Sequence, residues 1–433
     1  MTTSRLQGFH KLSVMERRQV VMAHTDLTEA QSLSLGANGG LSDEQADKMV
    51  ENALGVLAIP FGLCVNLHIN GRDRLVPMSI EEPSVVAAAS HAAKLFRAGG
   101  GVQVETEPSL MLGQVQLLDV PNVAAARTSI TAASERLLAL ADACDPVLVS
   151  LGGGARALEV RVLEPRGEGD PLGTMVVVHL VVDVQDAMGA NAVNTMCERL
   201  APELAALSGG RSRLRILSNL ADRRLVRARV SIPFDALARG QHSGREVAAG
   251  IEEASVFAER DPYRAATHNK GIMNGVDAVL IAFGQDWRAV EAGAHAYACK
   301  DGHYGALATW RMTEQGLHGL LVMPMAVGTV GGVVRVHPTV AAARTIAGVE
   351  SAADLGSLVA AVGLAQNFGA LRALSAEGIQ QGHMRLHARN VAVQAGAVGA
   401  EIDPLAEALA KAGRVQLEVA RELLALARSE DKG

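Results

Sequence analysis

Aromatic side chains are scarce in this 433-residue chain: two Trp, three Tyr and seven Phe, 3 % of the whole. Ala, Val and Leu must therefore fill the core. Cysteine is scarcer still. Cys64, Cys144, Cys197 and Cys299 are scattered, and none forms a CxxC pair. That spacing suggests neither a zinc site nor a disulfide framework and fits a reducing, cytoplasmic setting. There is no excess of positive charge either. The net charge is −6, which gives no global electrostatic reason to bind nucleic acid or an anionic membrane. No run of about 18 unbroken apolar residues occurs, so no membrane span is expected. The first twenty residues lack the apolar stretch of a signal peptide.

What is present suits a globular protein with a large core. Hydrophobic residues make up 49 % and charged residues 20 % of a chain long enough for two or three domains. Residues 1–50 read as short helices, with Ser42 and Gln45 marking one start. VNLHINGRDRLVPMSI alternates around Asn70-Gly71, a strong hairpin signal. EEPSVVAAASHAAKLF then reads as a helix from Pro83, with Glu81 and Glu82 at its N-terminus, where negative charge is favoured.

From about Pro108 the texture changes. MLGQVQLLDV, LEVRVLE and TMVVVHLVVDV read as strands. TSITAASERLLALADACD and MGANAVNTMCERLAPELAALSG read as helices. This order suggests a small α+β unit. It holds two glycine-rich turns, SLGGGAR and DAMGAN (Asp186, Ala187, Met188, Gly189, Ala190, Asn191). The second follows a strand and opens a helix, where free N–H groups suit a pyrophosphate. Neither turn is the GxGxxG fingerprint, so a Rossmann domain is not expected. Arg211, Arg213, Arg215, Arg223, Arg224, Arg227 and Arg229 should mostly line the solvent face of a strand. Gln366 and Asn367 interrupt one long apolar helix. His383 and His387 stand at i and i+4, but HExxH is absent, so no metal is expected. Asp403-Pro404 reads as the start of the first of two C-terminal helices.

Asp261 to Asp286 is the densest stretch. It gathers Arg264, His268, Lys270, Asn274 and Asp286 among Gly271, Gly275 and Gly284. A Lys held by a carboxylate can polarise a carbonyl and hold the oxyanion that forms. A solvated loop Lys is the plain structural alternative.

THNKGIMNG followed by GQDWRAVEAGAHAYA resembles the catalytic core of 3-hydroxy-3-methylglutaryl-coenzyme A (HMG-CoA) reductase, and of its soluble bacterial class II enzymes in particular. EEPSVVAAAS, SNLAD, DAMGAN and QGHM fit in order, so the resemblance spans most of the chain. Ala53, Leu54 and Ala190 depart from the usual motifs. The resemblance implies an α+β fold in three parts: a large helix-rich α/β substrate domain (1–108 and 216–376), an inserted small antiparallel-sheet domain for the dinucleotide (109–215), and a C-terminal helical flap (377–433). It implies NAD(H) as cofactor, coenzyme A as substrate or product, and a homodimer with a shared active site.

The same resemblance implies roles. Glu82, Lys270, Asp286 and His383 match the catalytic residues: Lys270 for the oxyanion, His383 for the departing thiolate, Glu82 as proton donor, and Asp286 holding Lys270 and Glu82 by hydrogen bonds. Ser84, Arg264 and Asn274 are candidates for the HMG group. Asn219 would lie between substrate and cofactor, and Gln366 and Asn367 near coenzyme A. Asp145 aligns with an acidic residue beside the adenosine ribose, where a carboxylate accepts from the 2′-hydroxyl and repels a 2′-phosphate. The expected reaction is the interconversion of HMG-CoA and mevalonate by two hydride transfers with NAD(H), in mevalonate breakdown. A non-catalytic coenzyme A-binding protein and another NAD-dependent dehydrogenase are the alternatives.

Overall fold

The computed structural model describes residues 3–36, 40–332, 336–376 and 388–430. Three short helices come first: α1 (Val14–His24), α2 (Glu29–Ser34) and α3 (Asp43–Met49). Each begins with a hydroxyl residue answered by Glu or Gln at the third helical position: Ser13 with Glu16, Thr28 with Gln31, Ser42 with Gln45. The two side chains satisfy each other's free N–H groups.

Strands β1 (Phe61–Ile69) and β2 (Arg72–Ser79) form the expected hairpin, with Ile69 opposite Arg72. Asn70 and Gly71 both take positive φ, 47° and 79°, as a type I′ turn demands. Helix α4 (Val85–Phe96) begins after Pro83 rather than at it. Ser84 adopts φ 76°, a left-handed conformation that no helix residue can share.

The smaller unit is built on β4 (Leu110–Leu118), β5 (Gly154–Leu163), β6 (Met175–Asp183) and β7 (Arg211–Ser218). The strands run antiparallel in the order β5-β6-β4-β7. Helices α5 (Val123–Ala132), α6 (Ser134–Asp142), α7 (Pro146–Ser150) and α8 (Ala190–Ser208) complete it. The segment expected as one helix breaks at Ala133, whose ψ of 5° separates α5 from α6. Val176, Val178, Leu180 and Val182 alternate toward the helices, meeting Ile130, Leu137, Leu200 and Leu204.

The larger core surrounds a second antiparallel sheet, ordered β3-β8-β10-β9. Its strands are β3 (Gln103–Thr106), β8 (Leu225–Ile232), β9 (Ala308–Met312) and β10 (Leu317–Pro324). Around it lie α9 (Phe234–Leu237), α10 (Gly244–Arg260), α11 (Pro262–Ala282), α12 (Trp287–Tyr297), α13 (Pro338–Ala347) and α14 (Ala352–Ala376). By length and composition alone α14 is apolar enough to cross a membrane, yet 78 % of its apolar window is buried inside the protein. It serves as the core helix of this unit. A Cβ on Gly275 of α11 would stand 2.9 Å from the Cβ of Gln366, and one on Gly363 of α14 would stand 2.9 Å from Val276 Cγ2. Bare backbone on both sides lets the two helices cross closely. Three of the few aromatics gather here too, Phe96 and Trp310 each with its ring centroid 5.3 Å from that of Phe368.

At the C-terminus, helices Ile402–Ala412 and Leu417–Glu430 close over Ala388, Val391 and Ala392. Asp403 is not their N-cap. It lies within the first helix, and its carboxylate pairs with Arg389 at 2.7 Å.

Candidate active site

Asp261 and Pro262 start α11: the Asp261 carboxylate accepts from the Arg264 N–H at 2.9 Å, and proline fills the first turn. The helix then runs unbroken to Ala282, so the stretch that carries Lys270 is helix, not loop. Its two faces have different work. His268 and Asn269 point inward and are buried. Asn269 is fully spent, accepting from the Leu307 N–H at 3.0 Å and donating to the Gly305 carbonyl at 2.9 Å and the Tyr304 hydroxyl at 3.0 Å. His268 Nε2 lies 3.1 Å from the Ala308 carbonyl. Burial first, and Arg264 second, lower its pKa to about 4, so it stays neutral. These contacts fasten α11 to the turn before β9.

Lys270 and Asn274 share the opposite face, one turn apart. Lys270 Nζ lies 3.3 Å from Glu82 Oε2, and Asn274 Nδ2 donates to the same oxygen at 3.4 Å. Glu82 comes from the turn before α4, so residues far apart in sequence meet there. Side-chain exposure is 63 % for Lys270 and 34 % for Glu82. Within one chain the Lys270–Glu82 pair is therefore open to solvent. Glu82 and Ser84 edge a groove of 1270 Å³, which Arg5 and Lys94 also line. The Ser84 hydroxyl donates to the Pro83 carbonyl in this state. Arg264 is half-buried, with no carboxylate partner among the described residues, and burial lowers its pKa.

Asp286 is not where the sequence reading put it. Its carboxylate caps α12, accepting from the Ala289 N–H at 3.1 Å, and pairs with Arg288 at 3.4 Å. From Lys270 to the end of α11 the helix rises about 18 Å, and Asp286 lies beyond that end. Asp286 therefore holds neither Lys270 nor Glu82 of its own chain. Asn367 also differs from expectation. It is 1 % exposed, accepts from the Trp310 indole N–H at 2.7 Å and lies 3.1 Å from His268 Nε2. It is a core amide, closed off from solvent and so from coenzyme A in this state. Gln366 is buried beside Gly275, and its Oε1 has no hydrogen-bond partner among the described residues. Asn219 is exposed on the turn between β7 and β8, and its carbonyl rests against Gly293 of α12. His383 and His387 lie outside the described residues.

The dinucleotide elements sit at one end of the smaller sheet. Gly189, with φ 103°, caps α8 without any side-chain bond, so the first N–H groups of a 19-residue helix are open. Such an end suits an anionic pyrophosphate. Asn191 is exposed in its first turn. Asp186, however, faces the larger core: its carboxylate accepts from the Ala352 N–H at the start of α14, at 2.8 Å. Asp145 caps α7, one oxygen accepting from the Leu148 N–H at 2.9 Å.

Sequence reasoning missed Arg224. In the arginine run, Arg211, Arg223, Arg227 and Arg229 pair at the surface or half-buried with Asp119, Glu159, Glu107 and Glu105. Arg224 instead is 4 % exposed and bonded to carbonyls. Only its place, last before β8, set it apart. Asp277, on the Lys270 face, was missed as well. Burial, then the charge and hydrogen bond of Glu291 on α12, push its pKa up to about 8.

The chain matches the family model described as hydroxymethylglutaryl-coenzyme A reductase over residues 13–388. It is 47 % identical to the 3-hydroxy-3-methylglutaryl-coenzyme A reductase of Archaeoglobus fulgidus, covering 99 % of this chain and 95 % of that one. With a probable HMG-CoA reductase of Borreliella burgdorferi it shares 33 % identity over 89 % of this chain and 86 % of the relative. Among solved structures, an HMG-CoA reductase from Streptococcus pneumoniae superposes with a TM-score of 0.82 at 43 % identity, covering 97 % of this chain and 99 % of that one. A structure of the class II enzyme from the same organism, bound to NADPH in open conformations, gives 0.81 at 44 % identity, covering 96 % and 100 %. The helix that carries Lys270, the turn that carries Glu82 and the open end of α8 thus belong to a member of the HMG-CoA reductase family.

Proposed function

We propose that this HMG-CoA reductase interconverts HMG-CoA and mevalonate plus coenzyme A in two successive hydride transfers with NAD(H), as a cytoplasmic homodimer serving mevalonate breakdown. The observation that carries the proposal is the convergence of Lys270 and Asn274 on Glu82 at the rim of a large groove. When bound, the reduced nicotinamide supplies the hydride. The chain's own task is charge and position. The Lys270 ammonium holds the oxygen that becomes anionic as the thioester carbonyl turns tetrahedral. Glu82, within reach of that ammonium, delivers a proton when the aldehyde oxygen is reduced. His383 would protonate the leaving thiolate. Arg264 and Ser84 are offered to the HMG carboxylate and hydroxyl, and Arg5 and Lys94 add positive charge along the groove.

The dinucleotide would lie with its pyrophosphate at the open start of α8 over Ala187, Met188 and Gly189. The absence of a side-chain cap there favours this fit. Asp145 keeps one carboxylate oxygen beyond its cap contact, which supports a ribose 2′-hydroxyl over a 2′-phosphate. The Streptococcus relative was solved with NADPH, which makes the cofactor comparison the useful test. Three of the four packed cores among the described residues are read as marking the three domains expected from sequence, and the fourth, around Val21, Leu75 and Ile346, as part of the large one. Two features favour a dimer: Asp286 cannot reach Lys270 of its own chain, and Leu54 and Leu57, in the segment after α3, stand out in solvent.

The test follows the absorbance of reduced nicotinamide with mevalonate, coenzyme A and either NAD⁺ or NADP⁺. A rise with NAD⁺ well above that with NADP⁺ is the expected result. Preference for NADP⁺ would overturn the Asp145 argument while leaving the reaction. No signal with either, in folded protein, would overturn the reaction itself.

A further inference from the structure

Arg224 is an unusual buried cation. It is 4 % exposed and, among the described residues, no carboxylate touches it; Asp183 and Asp186 act on it only as nearby charges. Burial pulls its pKa down to about 10, which leaves it charged near neutrality. A buried charge without a counter-ion persists only if strong hydrogen bonds replace its hydration. Here those bonds all go to main-chain carbonyls on two segments. Nη1 donates to Ala187 at 3.1 Å and to Met188 at 3.5 Å, both in the turn before α8. Nη2 donates to Val327 at 2.6 Å, in the loop after β10. The planar fork of Arg suits such a double attachment in a way that the single ammonium of Lys does not.

The same two segments meet again beside this clamp. The Thr329 N–H donates to the Asp186 carbonyl at 2.8 Å. A Cβ on Gly328 would stand 2.5 Å from the Met188 nitrogen, and Gly328 itself donates to Gln285 Oε1 at 2.9 Å. The turn from Asp186 to Gly189 is thus held to the larger core by a guanidinium and packs directly against the bare backbone of Gly328.

We propose that Arg224 is a positioning residue for the dinucleotide: it fixes the turn before α8 to the Val327–Thr329 loop, and so fixes where the cofactor lies relative to the substrate site. The proposal rests on the reading that this turn receives the dinucleotide. Arg224 does not touch the cofactor; its guanidinium is behind the turn, among carbonyls. Its three bonds orient the chain so that the N–H groups at the start of α8 face outward.

The experiment measures binding of NADH and of NADPH by fluorescence, and of HMG-CoA by calorimetry, in the full-length protein. Arg224→Met keeps the apolar stem and removes the fork; Arg224→Lys keeps the charge. Losing hydrogen bonds from a charged donor should weaken dinucleotide binding by about tenfold or more in the Met variant, with partial rescue in the Lys variant. HMG-CoA affinity should stay within about twofold. Gly328→Ala would drive a methyl into the same turn and should give the same selective loss, which keeps the test open if Arg224→Met does not fold. Unchanged dinucleotide affinity in folded variants overturns the proposal. So does a parallel loss for HMG-CoA, since that would mark a general packing role. If the unaltered protein binds neither dinucleotide, the functional reading fails first.

Discussion

Lys270 and Asp286 offer a direct test of whether one chain suffices for the active site. Twelve helical residues separate Lys270 from the end of α11, a rise of about 18 Å. The extended Lys and Asp side chains together cover only about half of that. Any hydrogen bond between them must therefore join two copies of the chain. Lys270→Ala removes the cation. Asp286→Asn removes the carboxylate but keeps a side chain able to cap α12. Each variant alone should lose about a hundredfold or more in kcat, the scale of a missing oxyanion donor. Co-expressed with different tags, they should pair at random, and about half of the dimers would be mixed. In a mixed dimer one site carries both lesions and the other carries none. Activity should therefore return to about a quarter of that of the unaltered enzyme. If purified mixed dimers are as inactive as the single variants, Asp286 does not act from a second copy.

Other outcomes can be checked separately. Lys270→Ala should leave the melting temperature nearly unchanged, because an ion pair this exposed contributes about 0–1 kcal/mol at most; a large drop would mean that Lys270 is structural. Asp277, raised to about 8 by burial and by Glu291, should keep its proton in the fold and lose it on unfolding. That term stabilises the fold in acid and is lost as pH rises from the unfolded value through about 8. The slope is at most about 1.4 kcal/mol per pH unit, and the total is reduced by solvent at this partly exposed pair. Asp277→Asn should abolish the slope in urea unfolding, whereas a pH-independent difference from the unaltered protein would show that no proton is shared. Gly275→Ala places a methyl 2.9 Å from Gln366 Cβ, so α11 and α14 must separate, at a cost of about 1–3 kcal/mol; a variant of unchanged stability would refute the close crossing. Asp145→Asn keeps the cap of α7 and removes the charge, so the ratio of NADP⁺ to NAD⁺ turnover should rise. A constant ratio would take Asp145 out of cofactor choice.

Local chemistry made some of this legible beforehand. Asn70-Gly71 can hardly form anything but a tight hairpin turn. Ser42 with Gln45 announces a helix start because each side chain answers a free N–H of the other. The alternation of β6 and the apolar length of α14 follow from what each must bury. The failures share a different cause. Asn367 looked available because a polar residue in an apolar helix has no local partner; its partners, Trp310 and His268, come from a strand and a helix distant in sequence. Arg224 sits among arginines that pair at or near the surface, and only the meeting of two loops makes it a buried clamp. Asp286 matched its motif, but a motif does not say how far apart the fold leaves its members, and here the last twelve residues of α11 stand between Lys270 and Asp286.

The exposure of Lys270 points the same way. An ammonium in water interacts weakly with a developing oxyanion, since at about 4 Å the attraction in bulk solvent is only about 1 kcal/mol and grows severalfold where solvent is excluded. A lone chain leaves Lys270 63 % exposed, so it cannot supply the electrostatic term that its position offers. The role proposed for Lys270 therefore calls for a surface that excludes water from it. On the same helix Tyr263 stands 86 % exposed, Phe257 protrudes from α10, and Leu54 and Leu57 project from the segment after α3. Large apolar side chains this exposed are what a partner surface would cover. A second copy that covers them would bring its own Asp286 and remove the water around Lys270 in one step, which turns an exposed ion pair into a catalytic one.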